Sequence, residues 1–357
     1  MVSMQELLKR ADEEGASDLH LCVGIPPKMR IDGKLKNMRY DELQPSDTLE
    51  MLIEVLTTEQ REHFDQKGEI DLSFSIRGQG RYRMTAYKQR GTVAMAVRLM
   101  EKDLIEAEKI GVPAAFLKLH HIKSGLILAT GPSGSGISTT VATLIDRINQ
   151  NEESLIITLE NPIEYLHEHK KGIVNQREIG FDTTDYVSAL RNVLREDPDV
   201  IYIGTVLEYE TMKIALAAAE AGCLVIGTLH TLGAVHTLKH IIHSFPLEEQ
   251  EKIRIQLVNS LTAIVSQQLV PLKHKHGRIP AFEVMLTNAT IRKAINENQI
   301  EAINDLIPQY ETEGMCLMDD SLIKLYHNDQ ITAGYTVRYA DDKNRVLAAI
   351  GEVEDFT

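Results

Sequence analysis

The second half of the chain contains short runs of apolar residues without a polar face, and helical patterns separate these runs. Strands that are apolar on both sides are typical of a parallel sheet covered by helices on both faces. We therefore predict an α/β fold with a parallel sheet at its centre. The runs occupy residues 125–130, 155–159, 200–203 and 224–228.

The first hundred residues have a different pattern, in which short amphipathic strands and helices mix in the manner of an α+β domain. A chain of 357 residues exceeds one ordinary core and fits two domains. We predict an N-terminal domain at residues 1–100, a polar linker at 101–112 and a core at 113–357. From about residue 247 the periodicity is helical, with only a weak strand pattern at 278–284.

Charge and composition exclude several functional classes. The net charge is −14, which disfavours nucleic acid as a partner because binding to it needs a basic surface. No apolar run approaches the roughly 18–20 residues of a membrane span, so we expect no direct membrane insertion. Three widely spaced cysteines form neither a disulfide framework nor a zinc site. We predict a reduced, cytoplasmic protein.

A glycine-rich segment follows the first apolar run and precedes a helical pattern. Residues 131–138, GPSGSGIS, fit the phosphate-loop pattern GxxxxGK[ST] except that Ile137 replaces the lysine. Glycines let backbone N–H groups surround a phosphate, and the helix N-terminus adds partial positive charge. We predict that ATP or ADP binds here, with Ser138 as a ligand of Mg²⁺. The predicted nucleotide contacts are Gly131, Ser133, Gly134, Ser135, Gly136, Ser138 and Thr139.

Two interpretations of this segment remain open. It is either a nucleotide site or a glycine-rich turn that never contacts phosphate. In the first case, the loss of the lysine removes a preorganised electrostatic contact, which typically costs about 3–4 kcal/mol of transition-state stabilisation.

Several further motifs occur together in one order along the chain, and with them the sequence resembles the PilT-type retraction ATPases of bacterial type IV pili. This family belongs to the wider secretion ATPase superfamily, and the resemblance covers nearly the whole chain. The matching segments are residues 15–27, 80–91, 158–164 (TLENPIE), 174–178 (VNQRE), 194–199 (LREDPD) and 227–231 (GTLHT).

The resemblance implies a PAS-like N-terminal domain, a RecA-like core and a helical C-terminal part. It also implies a ring of six subunits, either of this chain alone or mixed with an active paralogue. The implied partner is the inner-membrane platform protein of the pilus machine, which would hold the protein at the inner face of the membrane. Cys316 stands alone in the last third, which disfavours the secretion branch with its four-cysteine zinc subdomain.

The departures from the family pattern concentrate at the motif positions that act in nucleotide hydrolysis in the family. Thr205 stands where the family has the glutamate of its Walker B motif, and a hydroxyl is a poor proton acceptor at pH 7. Asn161 replaces an aspartate of the family, and Cys223 replaces a histidine. Three arginines of the family are replaced by Leu207, His240 and Asn296.

Other candidates keep the family residue. The resemblance makes Glu160 the candidate general base, with a surface carboxylate at a strand end as the alternative. It gives His230 a role in sensing the γ-phosphate, with a buried structural histidine as the alternative. Arg81, Arg83 and Arg98 are candidate arginine fingers for a neighbour's nucleotide, or else solvated strand residues.

His236, His240 and His243 are spaced to share one face of a helix, which is compatible with a zinc site. No carboxylate or cysteine nearby completes a common ligand set. Coincidence is the alternative explanation, because the chain has 13 histidines.

Two functions follow from these observations. One is a working motor, in which ATP hydrolysis in a hexamer drives pilus retraction and twitching motility. The other is a pseudo-ATPase, kept as a structural or regulatory subunit of the same machine. The combined replacements at Ile137 and Thr205 favour the second function, in which nucleotide binding is weak and hydrolysis is impaired or absent.

Overall fold

The structure, a computed structural model, describes residues 2–31, 33–76, 78–100, 104–206 and 208–351. The chain forms two compact units. The first consists of Met1–Asp103 with Glu164–Leu166, and the second of Leu104–Ile163 with His167–Thr357. Residues 101–103 of the predicted linker lie outside the described residues. The assignment of residues 101–112 as a linker stays a prediction.

The first unit contains a six-stranded antiparallel sheet with the strand order β3-β2-β1-β6-β5-β4. Alternation in the sequence gives the sheet one buried face: Tyr82, Met84 and Ala86 are buried on β5, and the residues between them are exposed. The elements are α1 (Met4–Glu13), β1 (Asp18–Leu21), β2 (Lys28–Ile31), β3 (Lys34–Asn37), α2 (Pro45–Val55), α3 (Thr58–Lys67), β4 (Glu69–Ile76), β5 (Gly80–Gln89) and β6 (Thr92–Leu99).

The second unit contains a seven-stranded sheet with the order β13-β12-β7-β11-β10-β8-β9. Neighbouring strands are parallel except for the last pair, β12 and β13. The strands are β7 (Gly125–Thr130), β8 (Leu155–Glu160), β9 (Ile173–Glu178), β10 (Val200–Ile203), β11 (Leu224–Leu229), β12 (Leu261–Pro271) and β13 (Arg278–Leu286).

Helices cover both faces of this sheet, as the apolar runs predict. On β7, Leu126 and Leu128 belong to one hydrophobic cluster, whereas Ile127 and Ala129 belong to the cluster on the opposite face. Among the described residues, no helix has the length and apolar character that crossing a bilayer requires. The helices are α4 (Ala114–Leu117), α5 (Ile137–Asn151), α6 (Tyr186–Val193), α7 (Tyr209–Glu220), α8 (Ala234–His243), α9 (Leu247–Ser260), α10 (Ala289–Asn296), α11 (Ile303–Leu306), α12 (Met318–His327), α13 (Ala333–Tyr339) and α14 (Lys343–Ile350).

The expectation that the chain is helical from about residue 247 is wrong over β12, whereas β13 coincides with the weak strand pattern at 278–284. Only α9 is helical at the start of this region, and β12 then enters the centre of the sheet beside β7. The polar residues Ser266, Gln267 and Gln268 interrupt the apolar pattern of β12, although all three are buried. Because these polar residues are buried and hydrogen-bonded, the sequence of β12 lacks the apolar pattern by which a central strand is recognised. The segment from α10 onward is helical.

Candidate functional site

Four parallel strands end at one edge of the large sheet. In the strand register, Leu229 lies beside Thr130, and Ile203 lies beside both Gly227 and Leu159. The carboxyl ends of β7, β8, β10 and β11 therefore share an edge, which is the usual ligand-binding crevice of parallel sheets. The glycine loop, Glu160, Thr205 and His230 all lie at or just after the carboxyl ends of these strands.

The glycine loop between β7 and α5 depends on its glycines for physical reasons. Gly134 and Gly136 have φ values of 78° and 84°, in the left-handed region that favours glycine. A Cβ atom on Gly131 would lie 2.4 Å from the backbone oxygen of Gln267 and 2.7 Å from Oγ of Ser135. The loop could not take this shape with side chains at these positions.

The start of α5 supplies hydrogen-bond donors to this loop. Gly136 is the N-cap of the helix, and the first N–H groups of a helix have no partner within it. Ser133 and Gly134 are exposed, and Ser138 and Thr139 in the first turn are half-buried. A phosphate group therefore fits this loop chemically, and the Ser138 hydroxyl in the first turn is the candidate ligand of Mg²⁺.

Ile137 is committed to the hydrophobic core. Its side chain is only 8% exposed and belongs to the cluster that also contains Ala129 and Val141. The loop position that carries a lysine in the phosphate-loop pattern thus contributes packing and no positive charge.

Glu160 is a buried carboxylate whose position is fixed by neighbours. It is 8% exposed, and its Oε1 accepts a hydrogen bond from the Thr158 hydroxyl at 2.6 Å. The Gln176 side-chain amide donates to the same oxygen from β9 at 3.1 Å. Gln176 also accepts the backbone N–H of His167 at 2.8 Å. The VNQRE segment therefore holds this carboxylate, a role that its sequence pattern did not reveal.

Thr205 forms a local hydrogen bond. Its hydroxyl donates to the backbone oxygen of Gly204 at 2.6 Å, and the Thr228 hydroxyl donates to that oxygen as well. Burial raises the pKa of the nearby Tyr186, and the negative charge of Glu160 raises it further. A side-chain interaction with Thr205 lowers this pKa in part. Leu207, which replaces a family arginine, lies outside the described residues.

His230 follows β11 directly and is exposed. The alternative of a buried structural histidine is therefore wrong, because the strand ends at Leu229 and leaves the next side chain in solvent. The three histidines on α8, His236, His240 and His243, are exposed too. In the described part of the chain, no group of three or more histidine, cysteine or acidic residues is arranged to hold a metal ion.

The three candidate arginine fingers belong to the first unit. Arg81 and Arg83 lie on β5, and Arg98 lies on β6 directly beside Arg83. The Nε atom of Arg98 donates to Oδ1 of Asp18 at 3.0 Å. Burial opposes the charge on Asp18, but hydrogen bonds from Ser17 and Arg98 hold its pKa below the ordinary value. Arg98 is therefore part of an ion pair within its own chain.

Two residues beside the glycine loop are absent from the sequence prediction. The Gln267 side chain donates to the backbone oxygen of Ser135 at 2.8 Å and accepts the Thr140 hydroxyl at 2.6 Å. Nη1 of Arg278 donates to the backbone oxygen of Gly134 at 3.1 Å. Gln267 lies on β12, the strand that the sequence analysis missed, and Arg278 is the first residue of β13.

Glu283 on β13, which the sequence analysis also did not name, binds the N-termini of two helices. It accepts the backbone N–H of Ala234 at 2.6 Å and that of Met318 at 3.4 Å. Burial raises its pKa to about 7; the bond from Ala234 opposes this effect and the nearby Asp341 adds to it. Glu283 thereby anchors the start of α8 to the sheet.

Comparison with known proteins identifies the family of the chain. A model of the type II/IV secretion system protein family matches residues 2–329. The chain therefore belongs to the type II/IV secretion system protein family. The type IV pilus retraction ATPase PilT of Pseudomonas aeruginosa is 37% identical over 318 residues, which cover 89% of this chain and 92% of that protein.

Two further similarities cover almost the whole chain. The type IV pilus ATPase PilU of the same organism is 36% identical over 356 residues, which cover 99% of this chain and 93% of that protein. A crystal structure of the pilus retraction motor PilT with bound ADP has a TM-score of 0.90 at 43% identity, covering 97% of this chain and 99% of that one. The resemblance to PilT-type ATPases and the predicted fold class are thereby confirmed.

Proposed function

We propose that this chain is a nucleotide-binding subunit of a type IV pilus retraction machine, in which ATP hydrolysis is impaired or lost. Its similarity to PilT and PilU supports the pilus machine as the context. The ADP bound to the similar PilT structure supports the glycine loop as a site for ADP or ATP. The chain would then serve as a structural or regulatory pseudo-ATPase.

The observation that carries this proposal is the state of Ile137 and Thr205. Ile137 is buried in an apolar cluster, and the Thr205 hydroxyl is bound to its neighbour's carbonyl. These two positions thus supply neither the lysine cation for the phosphates nor the carboxylate that organises water. Removal of one preorganised contact of this kind typically costs a factor of about 10²–10³ in rate, and here two are missing.

The remaining residues would act mainly in binding. The loop N–H groups would hold the phosphates, and the Ser138 hydroxyl would ligate Mg²⁺. Glu160 would accept a proton from water if any hydrolysis survives, and His230 would approach the γ-phosphate. Arg81 and Arg83 would serve a neighbouring subunit's nucleotide.

Assembly completes the proposal. We infer a ring of six subunits, homomeric or mixed with an active paralogue, in which a PAS-like domain precedes a RecA-like core. The ring would dock on the inner-membrane platform protein and so sit at the cytoplasmic face of the membrane. In a mixed ring, the arginines of this chain would still act on the paralogue's ATP.

The alternative is a working PilT-like ATPase with an atypical phosphate loop. The intact environment of Glu160, with two side-chain donors on Oε1, favours it. A phosphate-release assay on the purified protein, with Glu160→Ala in parallel, separates the two functions. We expect no turnover above that of the variant. Turnover of roughly 0.1–10 s⁻¹ that Glu160→Ala abolishes would establish the alternative.

A separate calorimetric titration tests binding. We expect ADP and ATP to bind with similar, low affinity, because nothing in the lysine's place contacts the γ-phosphate. A marked preference for ATP would contradict this expectation.

A further inference from the structure

The connection between β12 and β13 is a basic hairpin beside the glycine loop. Residues 272–277 join the two strands, and Pro271 pairs with Arg278 at the base of the turn. Because β12 runs parallel to β7, its carboxyl end lies at the same edge of the sheet as the loop. In a chain with a net charge of −14, five basic residues stand together here. They are Lys273, His274, Lys275, His276 and Arg278.

Two of these basic residues contact one carboxylate. Nζ of Lys273 contacts Oδ1 of Asp329, and Nε2 of His274 lies 2.7 Å from Oδ2. Within the described part of the chain, neither Lys275 nor Arg278 forms an ion pair with a carboxylate. The uncompensated charge of the hairpin therefore resides on these two residues, both of which are exposed.

The strands beside the hairpin bind two successive carbonyls of the glycine loop. Gln267 donates to the oxygen of Ser135, and Arg278 donates to that of Gly134. In a trans peptide the C=O and the next N–H point in opposite directions. Since Gln267 holds the Ser135 carbonyl on its own side, the N–H of Gly136 points away from Gln267.

Arg278 brings a permanent positive charge to this loop. Its Nη1 lies 3.1 Å from the oxygen of Gly134. A guanidinium carries five N–H donors in a planar fork, so others remain for a ligand. Arginine forms charge-assisted, often bidentate hydrogen bonds with phosphate. The loop thus has a cation at its rim although Ile137 contributes none.

We propose that Arg278 binds the phosphate groups of the nucleotide and replaces the cation that the phosphate loop lacks at Ile137. This inference rests on the proposed binding of ADP or ATP at the loop. A hydrogen bond to a charged group is worth enough to change an affinity about 10- to 100-fold. Both nucleotides carry α- and β-phosphates, so the contact would not require a γ-phosphate.

The test is a fluorescence titration of the full chain with an N-methylanthraniloyl derivative of ADP. We expect Arg278→Ala to weaken binding about 10- to 100-fold, and Arg278→Lys to weaken it less. Lys275→Ala is the matched control, because it removes the same charge from the same hairpin. That control should bind within about twofold of the unmodified chain, since among the described residues Lys275 has no hydrogen bond to the glycine loop, whereas Arg278 has one.

Two further measurements distinguish a role of the positive charge of Arg278 from a role of its hydrogen bond to the glycine loop. Arg278→Gln removes the charge but keeps N–H donors, and we expect it to lose as much affinity as Arg278→Ala. The salt dependence of binding should also become shallower in both variants, which a purely structural role would not cause. Thermal unfolding of each variant shows that the fold is retained.

The outcomes distinguish this inference from the proposed function. If the unmodified chain binds ADP and Arg278→Ala or Arg278→Gln binds equally well, the role of Arg278 is overturned while nucleotide binding stands. If the unmodified chain binds no nucleotide at millimolar concentration, both proposals are overturned.

Discussion

Replacement of Glu283 by glutamine should change how stability depends on pH. Glu283 is 3% exposed and accepts backbone N–H groups at the first residues of α8 and α12. Burial raises its pKa from 4.5 to about 7, and the two N–H bonds offset this effect only in part. Glutamine keeps an oxygen acceptor of similar shape and cannot ionise.

The sign follows from the raised pKa. The folded chain holds a proton on Glu283 at pH values where the unfolded chain has released it. This group therefore favours folding most at low pH, and the contribution is lost as pH rises from 4.5 through about 7. At 1.36 kcal/mol per unit of pKa, the total is about 3 kcal/mol, of which about 2 kcal/mol falls between pH 5.5 and 8.

Urea unfolding of both proteins at pH 5.5 and pH 8 measures this difference. Other groups titrate in both proteins, so the quantity of interest is the free energy of unfolding of Glu283→Gln minus that of the unmodified chain. We expect this difference to rise by about 2 kcal/mol in favour of the variant between the two pH values. A difference that stays constant with pH would refute the assignment of the raised pKa to Glu283.

Three other outcomes are expected. Gln267→Ala should lower the free energy of unfolding by about 1–3 kcal/mol in urea titrations, because it leaves the Ser135 carbonyl and the Thr140 hydroxyl without their partner; no loss would show that the loop finds other donors. The double change Ile137→Lys, Thr205→Glu should raise the affinity for ATP more than that for ADP in a fluorescent-nucleotide titration, and no gain in affinity would mean that the pocket has collapsed or is blocked. Native mass spectrometry should detect hexamers of the chain, alone or co-expressed with a paralogue, and monomers in both cases at micromolar concentration would contradict the ring.

The strands around the candidate site could be predicted because their sequence reflects their burial. β7, β8, β10 and β11 are almost entirely buried, and an apolar run bounded by turns indicates such a strand without any alignment. The glycine loop was equally accessible to prediction, since the left-handed φ values at Gly134 and Gly136 favour that residue type.

β12 could not be predicted for the opposite reason. Its buried polar residues have partners far away in sequence: Ser266 bonds with Thr130 at 2.5 Å, and Gln268 donates to the oxygen of Tyr339 at 3.1 Å. Burial of a polar group is tolerated only when it is hydrogen-bonded, and such partners are visible only in three dimensions. The same limit concealed Gln267 and Arg278. The exposed state of His230 also depended on where β11 ends.

The insertion of β12 between β7 and β13 has a consequence for protein synthesis. Thr130 and Ser266, which meet at the glycine loop, are separated by 136 residues. At a synthesis rate of roughly 5–20 residues per second, roughly 7–27 s pass before the partner strand of β7 emerges. During that interval one edge of β7 has no neighbour, and an unpaired apolar strand edge is prone to pair with other chains. Chains that end before Leu261 should therefore aggregate. The glycine loop takes its final shape only late in translation.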